Sequence, residues 1–225
     1  MRLNLGCGPG PQPDGWIHLD GSWNAWFAKV PRVRRMLGAL GLVPLVASQY
    51  DWRRDVVVAN LRRALPFPAN TFDAVYASHV VEHLYENEVA ALLAECLRIL
   101  RPGGVVRIVV PDVEAIVTQY LERKRGPLGS DEPLPADWLN EMLHFQERNG
   151  PSGFVLHRLY GALSELHYHK WMYDAEALTA RMVRAGLSDV RECELWDSRI
   201  PGIRDIENER RVAGGAGVCV EGLKA

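Results

Sequence analysis

An α/β fold built on a mostly parallel sheet, covered on both faces, is what this sequence predicts, and three observations carry the prediction. Short, largely apolar runs recur at Leu3–Leu5, Trp16–Leu19, Asp55–Ala59, Phe72–Ala77 and Val105–Val110, the pattern of strands buried on both sides. Helical periodicity separates the later runs. The first run passes straight into a glycine turn, Gly6-Cys7-Gly8, as at the ligand-binding end of a parallel sheet.

Taken in order, Leu3–Leu5 is a first strand and Trp16–Leu19 a second. Only about ten residues join them, where a parallel crossover normally takes a dozen or more, so the first crossover is predicted as a loop without a helix. The stretch 25–48 mixes tryptophan and phenylalanine with Lys29, Arg32, Arg34, Arg35 and an apolar run, and is read as a helical lid over the sheet's ligand edge. The alternative for it is a basic amphipathic helix lying on a membrane surface. Asp55–Ala59 and Phe72–Ala77 are the third and fourth strands. Asn87 is expected to cap a helix carrying Val89, Leu92, Leu93, Cys96, Leu97 and Leu100 on one side, until Pro102-Gly103-Gly104 stops it.

Val105–Val110 is the fifth strand. After it the alternation breaks, and residues 112–173 are read as a helical insertion: helices near Asp112–Arg123, Trp138–Glu147 and Phe154–Glu165, with a loop at Gly126–Pro135. Asp174 caps a last helix bearing Leu178, Met182 and Val183, Gly186 ends it, and Val190–Trp196 with Gly217–Val220 forms a closing antiparallel pair. The whole, 1–225, is expected to be a single domain.

Composition narrows the function. The 225 residues are 48% hydrophobic and 24% charged, an ordinary globular balance. A net charge of −2 disfavours a general nucleic-acid binder, which needs a basic excess to track phosphates. No apolar run reaches the roughly twenty residues that span a bilayer, so integral membrane association is not expected. Cys7, Cys96, Cys193 and Cys219 are scattered without a Cys-x-x-Cys pair, and no leader precedes Leu3, which together suit a reducing, cytoplasmic setting. The sequence leaves the oligomeric state undetermined.

Glycines at a strand's end let the backbone approach a ligand closely, and Asp20 after the second strand can accept from both hydroxyls of a ribose. The turn Gly6-Cys7-Gly8-Pro9-Gly10-Pro11-Gln12-Pro13 is too rich in proline to open a helix, so no anchor for the pyrophosphate of a dinucleotide is present. A nicotinamide-dependent dehydrogenase is disfavoured accordingly. The segments Leu65-Pro66-Phe67-Pro68, Phe72–Leu84 and Leu100-Arg101-Pro102-Gly103-Gly104 add to this pattern, and on all of them the chain resembles class I S-adenosylmethionine-dependent methyltransferases. The likeness is strongest to a bacterial branch whose sequences begin almost at the glycine motif. It is clear from Leu3 to about Pro111 and returns at His169–Asp174 and Ala185-Gly186-Leu187.

The resemblance implies a Rossmann-like, seven-stranded, mostly parallel sheet with a shortened first crossover and a helical insertion after strand 5. It implies S-adenosyl-L-methionine as cofactor, held by the backbone of Gly6, Cys7 and Gly8, by Asp20 at the ribose, by Asn60 and Leu61 beside the adenine, and by Ser78. Asn60 stands where relatives usually place an aspartate, and an amide still bonds the adenine amino group.

Methyl transfer from a sulfonium is an in-line displacement in which a positive charge disappears, so alignment and exclusion of water are the main demands. An oxygen acceptor must also lose a proton. His79, directly after the fourth strand, is the candidate base, and His169, in the cluster Leu166–Tyr173, is the second catalytic candidate. His79, Glu82 and His83 share one face if their segment is helical, and with His167 or His169 they could hold a divalent metal. No fourth ligand is fixed by the sequence, so a divalent metal is left as an alternative that the sequence does not favour. The partner expected is a small-molecule or sugar-like hydroxyl acceptor bound between lid and insertion. Carbon or nitrogen methylation of a secondary metabolite, and a catalytically silent nucleoside-binding regulator, are the alternatives.

Overall fold

Strands β1 (Arg2–Leu5), β2 (Trp16–Asp20), β3 (Val57–Val58), β4 (Phe72–Ser78), β5 (Leu100–Pro111), β6 (Ser188–Cys193) and β7 (Gly217–Leu223) form one seven-stranded sheet in the order β3-β2-β1-β4-β5-β7-β6. The computed structural model describes residues 1–10, 12–39, 52–127, 129, 132–145, 168–209 and 217–225. The first five strands run parallel, and β7 lies antiparallel between β5 and β6. This is the Rossmann-like sheet that the sequence predicts. The chain leaves β1 toward β2 on one side and β4 on the other, which opens a crevice at the carboxyl ends of those strands.

No helix joins β1 to β2 among the described residues, so the short crossover holds. What covers the sheet there is polar: Asn4 Nδ2 lies 3.3 Å from His18 Nδ1 and donates to Gln12 Oε1 at 3.2 Å, and His18 Nε2 is 2.9 Å from the Pro13 carbonyl. Register places His18, Asn4, Tyr76, Arg107, Glu221 and Arg191 side by side across six strands. A polar row thus crosses this face of the sheet. Residues 194–209, which follow β6, fold back over it, and Ile200 and Ile203 pack there with Trp16, Tyr76, Val109 and Cys219. The opposite face is conventional. Leu3, Leu5, Val75, Ile108 and Val110 share a core there with Leu92, Leu93 and Ile99 and with Leu178 and Met182.

Helices α1 (Trp23–Lys29) and α2 (Pro31–Ala39) lie in the segment read as a lid, whose remainder, 40–48, lies outside the described residues. A 3-10 turn, Val81–His83, follows β4, and α3 (Glu86–Ile99) follows that turn. The cap of α3 is Tyr85, not Asn87: the Tyr85 N–H donates to Glu88 Oε2 at 2.9 Å, so the helix starts early and Asn87 falls inside its first turn. The end of α3 meets β5 directly, because Leu100–Gly104 continues as strand instead of forming a stop. Gly103 and Gly104 exchange backbone bonds with Lys224 across that stretch.

The insertion begins with α4 (Val113–Arg125) and α5 (Pro135–Leu143). Pro135 in the first turn starts α5 three residues before Trp138, and His144 in the left-handed region (φ 48°) ends it. The helix predicted at Phe154–Glu165 lies outside the described residues. A parallel bridge between Asp112 and Tyr173, with the Val113 N–H donating to the Tyr173 carbonyl at 2.9 Å, ties the two ends of the insertion together. Helix α6 (Ala175–Arg184) is capped by Asp174, which accepts from Ala177 N–H at 2.7 Å. Gly186 (φ 101°) closes it, with Leu187 N–H reaching Met182 O and Gly186 N–H reaching Val183 O, the paired bonds of a Schellman ending. No helix among the described residues is long and apolar enough to cross a membrane.

Candidate active site

The glycine turn is held from below by Asp20. Gly6 (φ 62°) and Gly8 (φ 65°) both adopt the left-handed region, and a Cβ on Gly6 would stand 2.5 Å from Val80 Cγ2. Cys7 N–H donates to Leu19 O at 3.2 Å, and Gln12 Nε2 donates to Cys7 O at 2.8 Å. The buried Asp20 carboxylate accepts from Gly8 N–H at 3.0 Å through Oδ2 and from Ser22 N–H at 2.8 Å through Oδ1. One side chain therefore fastens the turn after β1 to the start of α1. Each of its oxygens keeps a second acceptor site, the number that two ribose hydroxyls require.

A Cβ at Gly8 would meet nothing within 4 Å, so the turn fronts open space of the kind a bound nucleoside fills. Asn60 is exposed and its Oδ1 accepts from Arg62 N–H at 2.9 Å, while Leu61 is half-buried against the core. Ser78 is buried, and its Oγ has no hydrogen-bond partner among the described residues. These groups fit a nucleoside cofactor. Replacing Gly6 by alanine should weaken binding of S-adenosylhomocysteine at least tenfold in calorimetry, because the methyl clashes with Val80 and the backbone is strained. Unchanged affinity would detach this turn from the cofactor.

His79 also sits in the left-handed region (φ 55°), an unusual conformation for a residue with a Cβ, and its N–H donates to Val109 O at 2.9 Å. The strand end thus turns sharply there. Its Nδ1 lies 3.2 Å from Glu82 Oε1, and the Glu82 side chain is 0% exposed. The segment is a single 3-10 turn instead of a longer helix, so His79 stands just before the turn and meets Glu82 across it.

The insertion reaches the same turn. Lys170 and Trp171 N–H groups both donate to the Glu82 carbonyl, at 2.6 and 3.2 Å. His83 Nδ1 lies 3.2 Å from Tyr168 O, and His169 Nδ1 lies 2.8 Å from Leu143 O. Ligating atoms of Glu82, His83 and His169 all fall within 4.8 Å of one another. Burial pushes the His169 imidazole down to about 4, the neighbouring His83 and His144 working in the same direction, so it is neutral at physiological pH. As a base at that pH it is weak, whatever its position.

The structure brings Gly6, Cys7, Gly8, Asp20 and Ser78 to the carboxyl edge of β1, β2 and β4, and gathers His79, Glu82, His83 and His169 beside β4. His167 lies outside the described residues. Sequence reasoning missed His144, whose ring is 5.4 Å from that of His169. Nothing in its surroundings along the chain marks it. The thiols of Cys96, Cys193 and Cys219 are pushed up to about 11 to 12 by burial and are not nucleophiles.

Residues 28–108 match the model of a family described as a methyltransferase domain. Over 67 residues, 30% of its length, the chain is 40% identical to a protein of Mycolicibacterium smegmatis named a probable S-adenosylmethionine-dependent methyltransferase. It spans about a quarter, 24%, of that relative. Among solved structures, it is similar to an S-adenosylmethionine-dependent methyltransferase of Thermotoga maritima described as a possible histamine N-methyltransferase, at 18% identity and a TM-score of 0.47, covering 100% of this chain and 81% of that one. An S-adenosylmethionine-dependent methyltransferase of Archaeoglobus fulgidus is similar at 16% identity and a TM-score of 0.47, covering 99% of this chain and 85% of that one.

Proposed function

We propose that this chain, whose residues 28–108 match a methyltransferase-domain family, is a class I S-adenosylmethionine-dependent methyltransferase that transfers a methyl group to a hydroxyl oxygen of a small or sugar-like acceptor, with His79 as the base. The observation that carries the reading is the pairing of His79 with the buried Glu82 carboxylate at the carboxyl end of β4, one strand from the glycine turn. The bound cofactor supplies a methyl group made electrophilic by the sulfonium sulfur. Gly6 and Gly8 let the backbone come close to it, Asp20 takes the ribose hydroxyls, and Asn60 and Leu61 flank the adenine. Ser78 and Cys7 complete the wall.

A carboxylate next to Nδ1 favours the tautomer with the proton on that nitrogen. Nε2 is then the atom that takes the acceptor's proton, and the imidazolium so formed gains the Glu82 charge as its partner. Glu82 is a positioning residue in this scheme. The lid, with α1 and α2, and the insertion 112–173 wall the acceptor site and keep water from it, as parts of one domain with the sheet. The aromatic side chains Trp138, Tyr168 and Trp171 suit stacking on a sugar face or an aromatic ring. Free, buried cysteines suit work in the reducing cytoplasm.

Calorimetric titration with S-adenosylhomocysteine, followed by an acceptor screen with methyl-labelled cofactor beginning with sugars and phenols, tests the reading. Binding near one per chain and label recovered as a methyl ether are expected. Label found only on nitrogen or carbon overturns the choice of oxygen. Absence of binding by the folded chain overturns the enzyme and leaves the regulatory alternative.

A further inference from the structure

We propose that Glu82, His83 and His169 form a binding site for a divalent transition metal of the zinc class, which joins the insertion to the turn after β4. The carboxylate of Glu82 is 0% exposed, and among the described residues neither of its oxygens accepts a hydrogen bond. A buried carboxylate in that state is costly unless something positive is next to it. His79 lies 3.2 Å from Oε1, and His83 Nε2 approaches the same oxygen at 4.0 Å. Neither contact satisfies the carboxylate as a hydrogen bond, so its charge is left for a cation between these groups.

The two histidines are arranged as ligands. Each places Nδ1 against a backbone carbonyl, His83 at 3.2 Å from Tyr168 O and His169 at 2.8 Å from Leu143 O. A carbonyl only accepts, so in both rings Nδ1 carries the proton and Nε2 carries the lone pair. Metal-bound histidines are held in this way, the second nitrogen donating to a carbonyl that fixes both tautomer and ring direction. The Nε2 of His83 lies 4.0 Å from Glu82 Oε1, and the two rings are centred 5.0 Å apart.

A tetrahedral zinc at bond lengths of about 2.0–2.2 Å holds its ligand atoms about 3.3–3.5 Å apart. The ligand atoms lie within 4.8 Å of one another, so a bound ion would draw them together by about 1 Å. The chain separation of the ligands adds sense to the arrangement. Glu82 and His83 come from the turn, His169 comes from the far end of the insertion, and the carbonyls fixing the rings belong to the insertion as well. Binding would thus fasten 112–173 to the sheet beside His79. Three protein ligands leave a fourth position, which water, the nearby His144 or an acceptor hydroxyl completes.

The proposal does not depend on methyl transfer, so its test reads the metal alone. Purified full-length protein, stripped with chelator and titrated with zinc chloride in a calorimeter, should bind about one equivalent. With cobalt(II) in place of zinc it should show the visible absorption of a four- or five-coordinate ion. His83→Ala and His169→Ala should each weaken zinc by more than about 100-fold, since loss of a ligand exceeds loss of its supporting bond. Glu82→Gln, nearly the same size, should do the same without emptying space in the fold. Circular dichroism checks that each variant is folded. No zinc bound by the folded wild type overturns the site. Unchanged affinity in the His83→Ala/His169→Ala double variant also overturns it, by locating the metal elsewhere.

Discussion

Replacing His79 by alanine should lower kcat by about 10²- to 10⁴-fold, the usual contribution of a positioned base, while S-adenosylhomocysteine binds within about twofold of wild type. The split follows from geometry. His79 stands at the end of β4 with its ring at Glu82, whereas the turn that faces the nucleoside is held by Asp20 and Gly6. Its left-handed backbone complicates the alanine variant, because histidine enters that region more readily than alanine does. His79→Asn separates the two effects. Asparagine tolerates that conformation but takes up no proton, so the asparagine variant should melt near wild type and be as inactive as the alanine one. Steady-state rates at saturating cofactor, beside thermal melts of both variants, decide it. A kcat within threefold of wild type in the asparagine variant removes His79 from the chemistry.

The parts of this fold legible in the sequence are those governed by neighbours along the chain. Strand β1 carries Leu3 and Leu5 and runs into glycines, Asp174 precedes a periodic helix, and Gly186 ends it; each rests on local propensity and lies where the sequence predicts it. The cap of α3 lies two residues before the asparagine that the sequence favours, because the reciprocal bond from Glu88 outweighs the intrinsic preference for asparagine. The turn at Val81–His83 was harder, since the spacing of His79, Glu82 and His83 fits a helix and a tight turn equally well. What brings His169 to that turn is the closure of the insertion 112–173 by Asp112 and Tyr173, and no periodicity announces a contact at such separation. The polar face of the sheet was likewise hidden. Arg107 interrupts an apolar strand, and only the register shows that its neighbours on either side are Tyr76 and Glu221.

Arg107→Met should destabilise the protein by about 3–5 kcal/mol, the cost of removing one partner from a buried ion network. Arg107 is 0% exposed, as are the side chains of Glu207 and Glu221, which lie 3.1 Å from its Nε and Nη1. The guanidinium also donates to the Leu195 carbonyl at 2.8 Å and the Asp197 carbonyl at 3.2 Å, while the Tyr76 hydroxyl donates to Glu207 at 2.7 Å and the Ser198 hydroxyl to Glu221. One side chain therefore holds the β6–β7 connection over a sheet face that has no crossover helix from β1 to β2 to cover it. Methionine fills much of the volume but strands two carboxylates away from water. At this chain length the loss corresponds to a melting temperature lower by about 6–20 °C. If the cause is stranded charge and not lost packing, the triple variant Arg107→Met/Glu207→Gln/Glu221→Gln should recover most of it, because the amides that remain carry no charge. A single variant that melts within 2 °C of wild type would mean that the connection is held by Ile200 and Ile203 alone. The cofactor turn lies beyond this network along β1, so S-adenosylhomocysteine should still bind the single variant below its melting temperature. That would separate the part of the molecule that keeps the sheet covered from the part that carries out the reaction.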